Sequence, residues 1–345
     1  MAGMKLVRSA IAVTASIALL TGCASTPKAS PSDTPAAKVY ETAPLTGIKF
    51  EQGTNANLAG PSVACKIDNL DVARPQLNLN RTDIVFDEMV EGGLTRFVAV
   101  WHSDKPDAVG PVRSIRPMDP DIISPLGGIV CYSGGQLKFV TMMRNTNVYN
   151  ATETSEQTHG TFTRAKDREA PKNVIVDAAK LAAAHTDLTP PAAQFEFTAI
   201  TDQASAVAAG KPIANFSIYY PSALSHWIYN GTNFARWQDG IAHKDSESGL
   251  QTTATNVVVL NVQIDRQFGK VPKTTLVGSG TGWVFSKSMQ LAVKWSKASQ
   301  TAPILLTDEA GAPIKLVRGN TWVELLPQNE NGRLEVALPL EDDTK

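Results

Sequence analysis

The stretch Thr82–Ser103, TDIVFDEMVEGGLTRFVAVWHS, leaves the chain little conformational choice. Two β-branched and aromatic runs flank Glu91-Gly92-Gly93, and Gly-Gly supplies the positive φ that tight hairpin turns require. An antiparallel hairpin is therefore expected. Upstream, SVACKIDN reads as a strand ending in the turn formers Asp68-Asn69, and downstream GGIVCYSGG reads as a short buried strand. Between them, Gly110-Pro111 and Arg116-Pro117 break DAVGPVRSIRPMDPDIISPL into loop and short helix. Asp177 to His185 is an Ala-rich helix with Asp177 placed to cap it.

Thr189-Pro190-Pro191 marks a candidate boundary between an N-terminal α+β domain (46–190) and a β-rich C-terminal domain (191–345). The second half alternates apolar and polar residues between Gly, Asn and Asp turns, in ANFSIYY, HWIYNGTNFARWQDG, TATNVVVLNVQI, KTTLVGSGTGWVFS, MQLAVKWSKA, PILLTD and NTWVELLP. Short strands at such spacing predict mostly antiparallel sheets in an α+β fold dominated by strands. Gly278-Ser279-Gly280-Thr281-Gly282 precedes a strand-like WVFS, not a helix. It is expected to be a hairpin turn and not a phosphate loop.

The N-terminus follows the order of an export signal. Lys5 and Arg8 precede the apolar run Ala10–Leu20, which is too short to span a bilayer of roughly 30 Å. Leu20-Thr21-Gly22-Cys23 then offers small residues before a thiol. The reading is a signal peptide over 1–22, with Cys23 carrying a lipid of palmitate type. A flexible linker follows over 23–45, rich in Ala, Ser, Thr and Pro, whose roughly 25 residues reach about 25–30 Å. The protein is expected at the cell membrane, facing the extracytoplasmic side. Loss of Lys5 and Arg8 leaves 30 basic residues against 33 acidic ones, a net charge of −3. No concentrated basic patch suggests nucleic acid as a partner. No CxxC, HExxH or metal-spaced Cys/His group is present, so neither a metal nor another cofactor is expected. Cys65 and Cys131 lie in apolar runs and could pair outside the membrane or remain buried thiols.

Three segments carry a resemblance: Ala73-Arg74-Pro75-Gln76, Val90–Phe97 and Gly110–Pro117. With Thr253–Val259, Leu276–Ser286 and Gly319–Pro327 they resemble the YerB family of bacterial lipoproteins, from about Val63 to Pro327. The resemblance implies two adjoining regions of unknown function and a layered β-β-α sandwich, its sheets mostly antiparallel and possibly mixed. It implies no activity. Where the family has a hydrophobic residue this chain has Cys65, which favours a core thiol over a disulfide.

The candidate site residues gather around the turns of the first half: Asp68, Asn69, Arg74, Glu88, Glu91, Arg96, Arg113 and Arg116. The arginine fork matches carboxylates and phosphates two bonds at a time, so a cleft for an anionic or peptide-like envelope ligand is one reading. Mutual satisfaction of charges at loop edges is the other. Arg74 and Arg116 are expected to be extended, each preceding a proline. Of the aromatic meander Tyr219, Tyr220, Trp227, Tyr229, Phe234 and Trp237, most should face a core. Trp227 and Arg236 are the expected exposed exceptions. Glu88 and Glu91 could serve a cell-wall hydrolase or transferase, although residues three apart on a strand face opposite sides. His243-Lys244-Asp245 is a weak triad. With no catalytic motif, the reading is a lipid-anchored binding protein and not an enzyme, with a scaffold for envelope complexes as a further alternative.

Overall fold

The computed structural model describes residues 38–339. The expected signal peptide, Cys23 and most of the linker lie outside the described residues. The last residues of the expected linker are part of the fold: Tyr40–Thr42 pairs with Lys49–Glu51, and Ala43 and Leu45 are fully buried.

The hairpin forms as its glycines require. β1 (Val63–Asp68), β2 (Ile84–Met89) and β3 (Thr95–Trp101) lie in the order β2-β3-β1, and Arg96 sits opposite both Glu88 and Asp68. Gly92 and Gly93 turn the chain with φ of 73° and 72°. A Cβ on Gly93 would also meet the Pro221 side chain at 2.6 Å. After the short helix α1 (Asp119–Ile123), β4 (Ile129–Cys131) adds in parallel beside β1. The helix α2 (Leu137–Arg144), which the sequence reading did not place, leads to β5 (Tyr149–Ala151), parallel to β4. Asp177 caps α3 (Ala178–Ala184) as expected, accepting from the Lys180 backbone N–H at 2.8 Å.

Beyond the proline break come α4 (Ser205–Ala209), β6 (Asn215–Tyr220), β7 (Ala223–Tyr229) and β8 (Phe234–Gln238). They are followed by β9 (Asn256–Asp265), β10 (Gly278–Ser286), β11 (Met289–Lys297), β12 (Thr321–Pro327) and β13 (Arg333–Ala337). β12 is parallel to both β2 and β9. One mixed sheet of twelve strands therefore runs across both halves, its main path β11-β10-β9-β12-β2-β3-β1-β4-β5. The parallel centre has a sequence cause: NVVVL and TWVELLP are nearly continuous runs buried on both faces, the pattern of parallel strands and not of half-solvated hairpins. β6, β7, β8 and β13 form a second, antiparallel sheet.

Alternate residues of the large sheet build two cores. Val63, Phe97, Val257 and Trp322 pack with Phe216, Trp227 and Phe234 of the second sheet and Leu181 of α3. Ala64, Val98, Val258 and Val323 pack instead with Ile122 of α1, Phe139 and Met143 of α2, and Ala206 of α4.

Two expectations are corrected. Cys65 and Cys131 are register neighbours on β1 and β4, with Cα atoms 4.5 Å apart, and form a disulfide. The apolar strands that carry the two cysteines are the ones that the sheet sets side by side. The Gly278–Gly282 segment is not a hairpin turn; it is the first half of β10, paired with β11 along its length. Its glycines answer to crowding. A Cβ on Gly280 would lie 2.7 Å from Trp295 Nε1, and one on Gly282 would lie 2.3 Å from the Val259 carbonyl oxygen.

Candidate functional site

The charged residues of the first half divide into a set gathered at the sheet end and Arg74, which lies at a groove away from it. Asp68 and Glu88 stand near the C-terminal ends of β1 and β2, and Arg96 near the start of β3. Arg113 Nε approaches Asp68 Oδ2 at 2.9 Å, and Arg116 Nε donates to Glu91 at 2.8 Å. Glu91 has left the strand for the turn, so it does not face Glu88 across a groove. Glu88 is fully buried on the Lys66 ammonium, which also donates to Asp119 at 2.7 Å. Burial pulls Lys66 down to about 8, against the attraction of Asp119. Arg96 has no carboxylate of its own and donates to the Ser114 carbonyl at 3.1 Å. Burial, with Arg116 and Arg113 nearby, lowers it to about 10. Lys66, Arg96, Arg113 and Arg116 face Asp68, Glu88, Glu91 and Asp119, four charges against four. This balance fixes loops to the sheet end.

Trp227 and Arg236 correct the parity of the meander. Both are fully buried, whereas Trp237, Tyr219 and Tyr229 are the partly exposed ones. Tyr220 and Phe234 face the core as expected; the two residues expected to be exposed lie on the buried phase of the alternation with them. β7 and β8 turn Trp227 and Arg236 inward because the large sheet presents two carboxylates there. Asp87 on β2 and Glu324 on β12 are register partners. Arg236 donates to Asp87 Oδ2 at 2.8 Å and to Ser225 Oγ at 2.6 Å, and its Nε lies 4.0 Å from Glu324. Trp227 Nε1 and Tyr220 Oη donate to the two oxygens of Glu324 at 3.0 and 2.9 Å. Burial pushes both carboxyls up, Asp87 further because Glu324 is beside it, while Arg236 opposes the shift. The guanidinium also lies over the Trp322 ring, 4.8 Å from its centroid.

From this core a chain of polar groups leads outward. Arg236 Nη1 donates to His243 Nδ1 at 2.8 Å, so His243 Nε2 carries the proton it gives to Gln76 Oε1 at 2.7 Å. Burial and the cations Arg236 and Arg74 hold His243 well below the ordinary imidazole range, and it is neutral. Gln76 Nε2 donates to Asn69 Oδ1 at 3.3 Å, and Asn69 donates to Gln238 at 3.0 Å. Asp245 plays no part with His243; it accepts from the Ser248 and Glu247 N–H groups of its own turn.

Gln238 and His243 form the inner wall of a cavity of about 370 Å³, completed by Asp71, Arg74, Pro75, Ile241, Ala242 and Lys244. Arg74 and Pro75 also border a neighbouring cavity of about 500 Å³, lined further by Asp167, Arg168, Glu169 and Lys172. Arg74 is extended, as its place before proline requires (φ −86°, ψ 148°), and the bond to Pro75 is cis. Its guanidinium touches Asp239 at 3.0 Å across a partly exposed pair. Arg168 fixes the ridge between the cavities by donating to the Ala73 and Pro75 carbonyls at 3.0 and 2.6 Å. Val72 and Ile241 stand exposed beside it.

The linear reading missed Asp87, Glu324 and Gln76. The first two did carry a signal: each interrupts an otherwise apolar strand, in IVFDEM and TWVELL, which is costly without a buried partner. It also missed Glu156, His159 and His185, the one group among the described residues with metal-ligating geometry.

Models of a family described as a protein of unknown function, DUF3048, match residues 45–190 for its N-terminal domain and 216–323 for its C-terminal domain. The chain belongs to the DUF3048 family. A relative from Bacillus subtilis (strain 168), YerB, whose name marks it as a candidate lipoprotein, is 46% identical over 74 residues. That stretch spans 21% of this chain and 22% of YerB. The crystal structure of YerB from Bacillus subtilis matches with a TM-score of 0.71 at 21% identity, covering 86% of this chain and 99% of that one. At this identity the likeness establishes the fold. In DUF3048 terms, the buried Asp87–Arg236–Glu324 core draws on both matched regions, and so does the groove at Arg74.

Proposed function

We propose that this member of the DUF3048 family is a lipid-anchored binding protein on the extracytoplasmic side of the cell membrane, seating its ligand in the groove over Arg74–Pro75. The observation that carries the reading is that Arg74 and Pro75 line two adjoining cavities, one shared with Asp71, Ile241, Ala242 and Lys244 and the other with Asp167, Arg168, Glu169 and Lys172. Apolar walls from Pro75, Ile241 and Ala242 beside mixed charges, with Arg74 and Lys244 for a carboxylate or phosphate and Asp71 for a cation, suit an extended ligand carrying both signs, such as a cell-wall peptide. The name of YerB and the Leu20–Cys23 sequence support the anchor. The two packed cores support the β-β-α sandwich, with the second sheet, the large sheet and the helices as its layers. A hydrolase using Glu88 is disfavoured, since that carboxylate is sealed on Lys66.

Thermal-shift screening of the mature protein against cell-wall peptides and phosphosugars tests the groove. Stabilisation by a ligand that disappears in Arg74→Ala and in Ile241→Asp supports it. Stabilisation that survives both and is lost in Arg96→Ala moves the site to the sheet end and refutes the proposal. For the anchor, Cys23→Ser should shift the protein from the membrane to the soluble fraction with its denaturation midpoint unchanged. Continued membrane fractionation of that variant counts against lipidation there.

A further inference from the structure

Glu156, His159 and His185 converge although they come from different parts of the chain. Glu156 and His159 lie on the turn that follows β5, three residues apart, and that turn is closed by backbone bonds from His159 and Gly160 to the Glu156 carbonyl at 3.1 and 2.9 Å. His185 arrives from the C-terminal end of α3. His159 Nδ1 and His185 Nε2 each lie 3.0 Å from an oxygen of Glu156, on opposite oxygens, and the three ligand atoms all fall within 4.8 Å of one another.

We propose that these three side chains form a site for a divalent transition-metal cation, with the remaining coordination positions open to water. Two imidazoles and one carboxylate are the donor set that suits such ions, and structural sites normally use four protein ligands where open sites use three. Around a tetrahedral zinc with bonds of about 2.0–2.1 Å, donor atoms lie roughly 3.3 Å apart. The two existing N···O distances of 3.0 Å need little change to reach that spacing. The Glu156 side chain is fully buried and His185 nearly so, while His159 is 41% exposed and gives the site its mouth.

The surroundings are those of a supported ligand set. Tyr149 Oη donates to Glu156 Oε1 at 2.7 Å and Thr161 Oγ1 donates to Oε2 at 3.3 Å, orienting the carboxylate from behind. Such outer bonds position metal ligands and tune their basicity. The His185 ring is held against Tyr149 with centroids 3.9 Å apart. Lys180 is engaged by the Gly160 carbonyl at 3.3 Å. The site depends on no feature of the Arg74 groove and stands or falls separately.

The test is metal binding by the full chain, purified without a histidine tag and stripped by a chelator. Zn²⁺ is titrated by calorimetry and Co²⁺ by its d–d absorption. The expected result is one saturable site whose affinity falls at least tenfold in His159→Ala and in Glu156→Gln but is unchanged in His226→Ala. His159 is exposed enough that its removal should leave the fold intact, so this variant decides the matter even if Glu156→Gln does not fold. Absence of saturable binding, or affinity unaltered in His159→Ala, overturns the proposal.

Discussion

Replacing Arg236 with Met isolates the contribution of charge compensation between the two sheets. The methionine keeps an unbranched apolar stem against Trp322 and Phe97, so the loss of packing is small. What disappears is the cation facing Asp87 and Glu324, with its bonds to Asp87, Ser225 and His243. Breaking a fully buried ion pair from one side typically costs about 3–5 kcal/mol, and all three charged side chains here are without exposure. Because the carboxyls can escape by taking up protons, the lower end of that range, about 3 kcal/mol, is expected at pH 7. Native domains have only about 5–15 kcal/mol to lose.

The same escape makes the deficit depend on pH. Both carboxyls are raised in the folded state, so the stability linked to their protonated forms is complete below the unfolded value of about 4 and is lost as pH rises through the folded value. Without Arg236 the folded values climb further, and the loss extends to higher pH. Urea denaturation followed by tryptophan fluorescence at pH 5 and pH 7 should therefore show a smaller deficit at the lower pH. Adding Asp87→Asn should recover part of it, a coupling that a double-mutant cycle measures. A deficit below about 1 kcal/mol at pH 7, or one equal at both values, would refute the reasoning.

Three further outcomes follow from particular contacts. Burial pushes the Asp83 carboxyl up to about 6, from an ordinary value of 3.8, against the bonds it accepts from Ser103 and His102. At about 1.36 kcal/mol per pH unit, integrated between the two values, wild type should gain about 2.4 kcal/mol relative to Asp83→Asn between pH 7 and pH 4, and a constant gap in urea midpoints would contradict this. Gly282→Ala places a Cβ against the Val259 carbonyl of the adjacent strand; a loss of about 1–3 kcal/mol is expected, and a neutral change in thermal melting would show that the sheet yields freely. Opening the Cys65–Cys131 link, whose cysteines are 66 positions apart in sequence, in the double Ser variant should cost about 4 kcal/mol by chain entropy, read by denaturation of both forms under non-reducing conditions.

The hairpin at Glu91-Gly93, the cap at Asp177 and the strands of the second half were legible because each rests on local chemistry: positive φ, an oxygen beside free N–H groups, and period-two burial. What was not legible depends on partners far away in sequence. Alternation along β7 and β8 says that half the residues point inward, but not which half, and Trp227 could be assigned only by knowing that Glu324 waits for its indole N–H. The glycines of β10 look like a turn until Trp295 and Val259 are placed against them. Likewise His185 lies too far from Glu156 in sequence for any spacing rule to join them.

These non-local dependencies share a physical pattern that bears on why the two DUF3048 regions occur together here. Asp87 interrupts an apolar strand of the first region, while Glu324 and Arg236 come from beyond the proline break. Two carboxyls as register neighbours on β2 and β12 would repel each other in a dry interior, and the parallel pairing of those strands is tolerable because Arg236 reaches them from the facing sheet. The cation in turn is buried at acceptable cost because Ser225, His243 and three aromatic rings complete its surroundings. The polar chain that satisfies His243 continues through Gln76 and Asn69 back into the first region. Each half thus leaves a buried charge or dipole that only the other half answers, and the groove at Arg74 is built on the surface of that reciprocal arrangement.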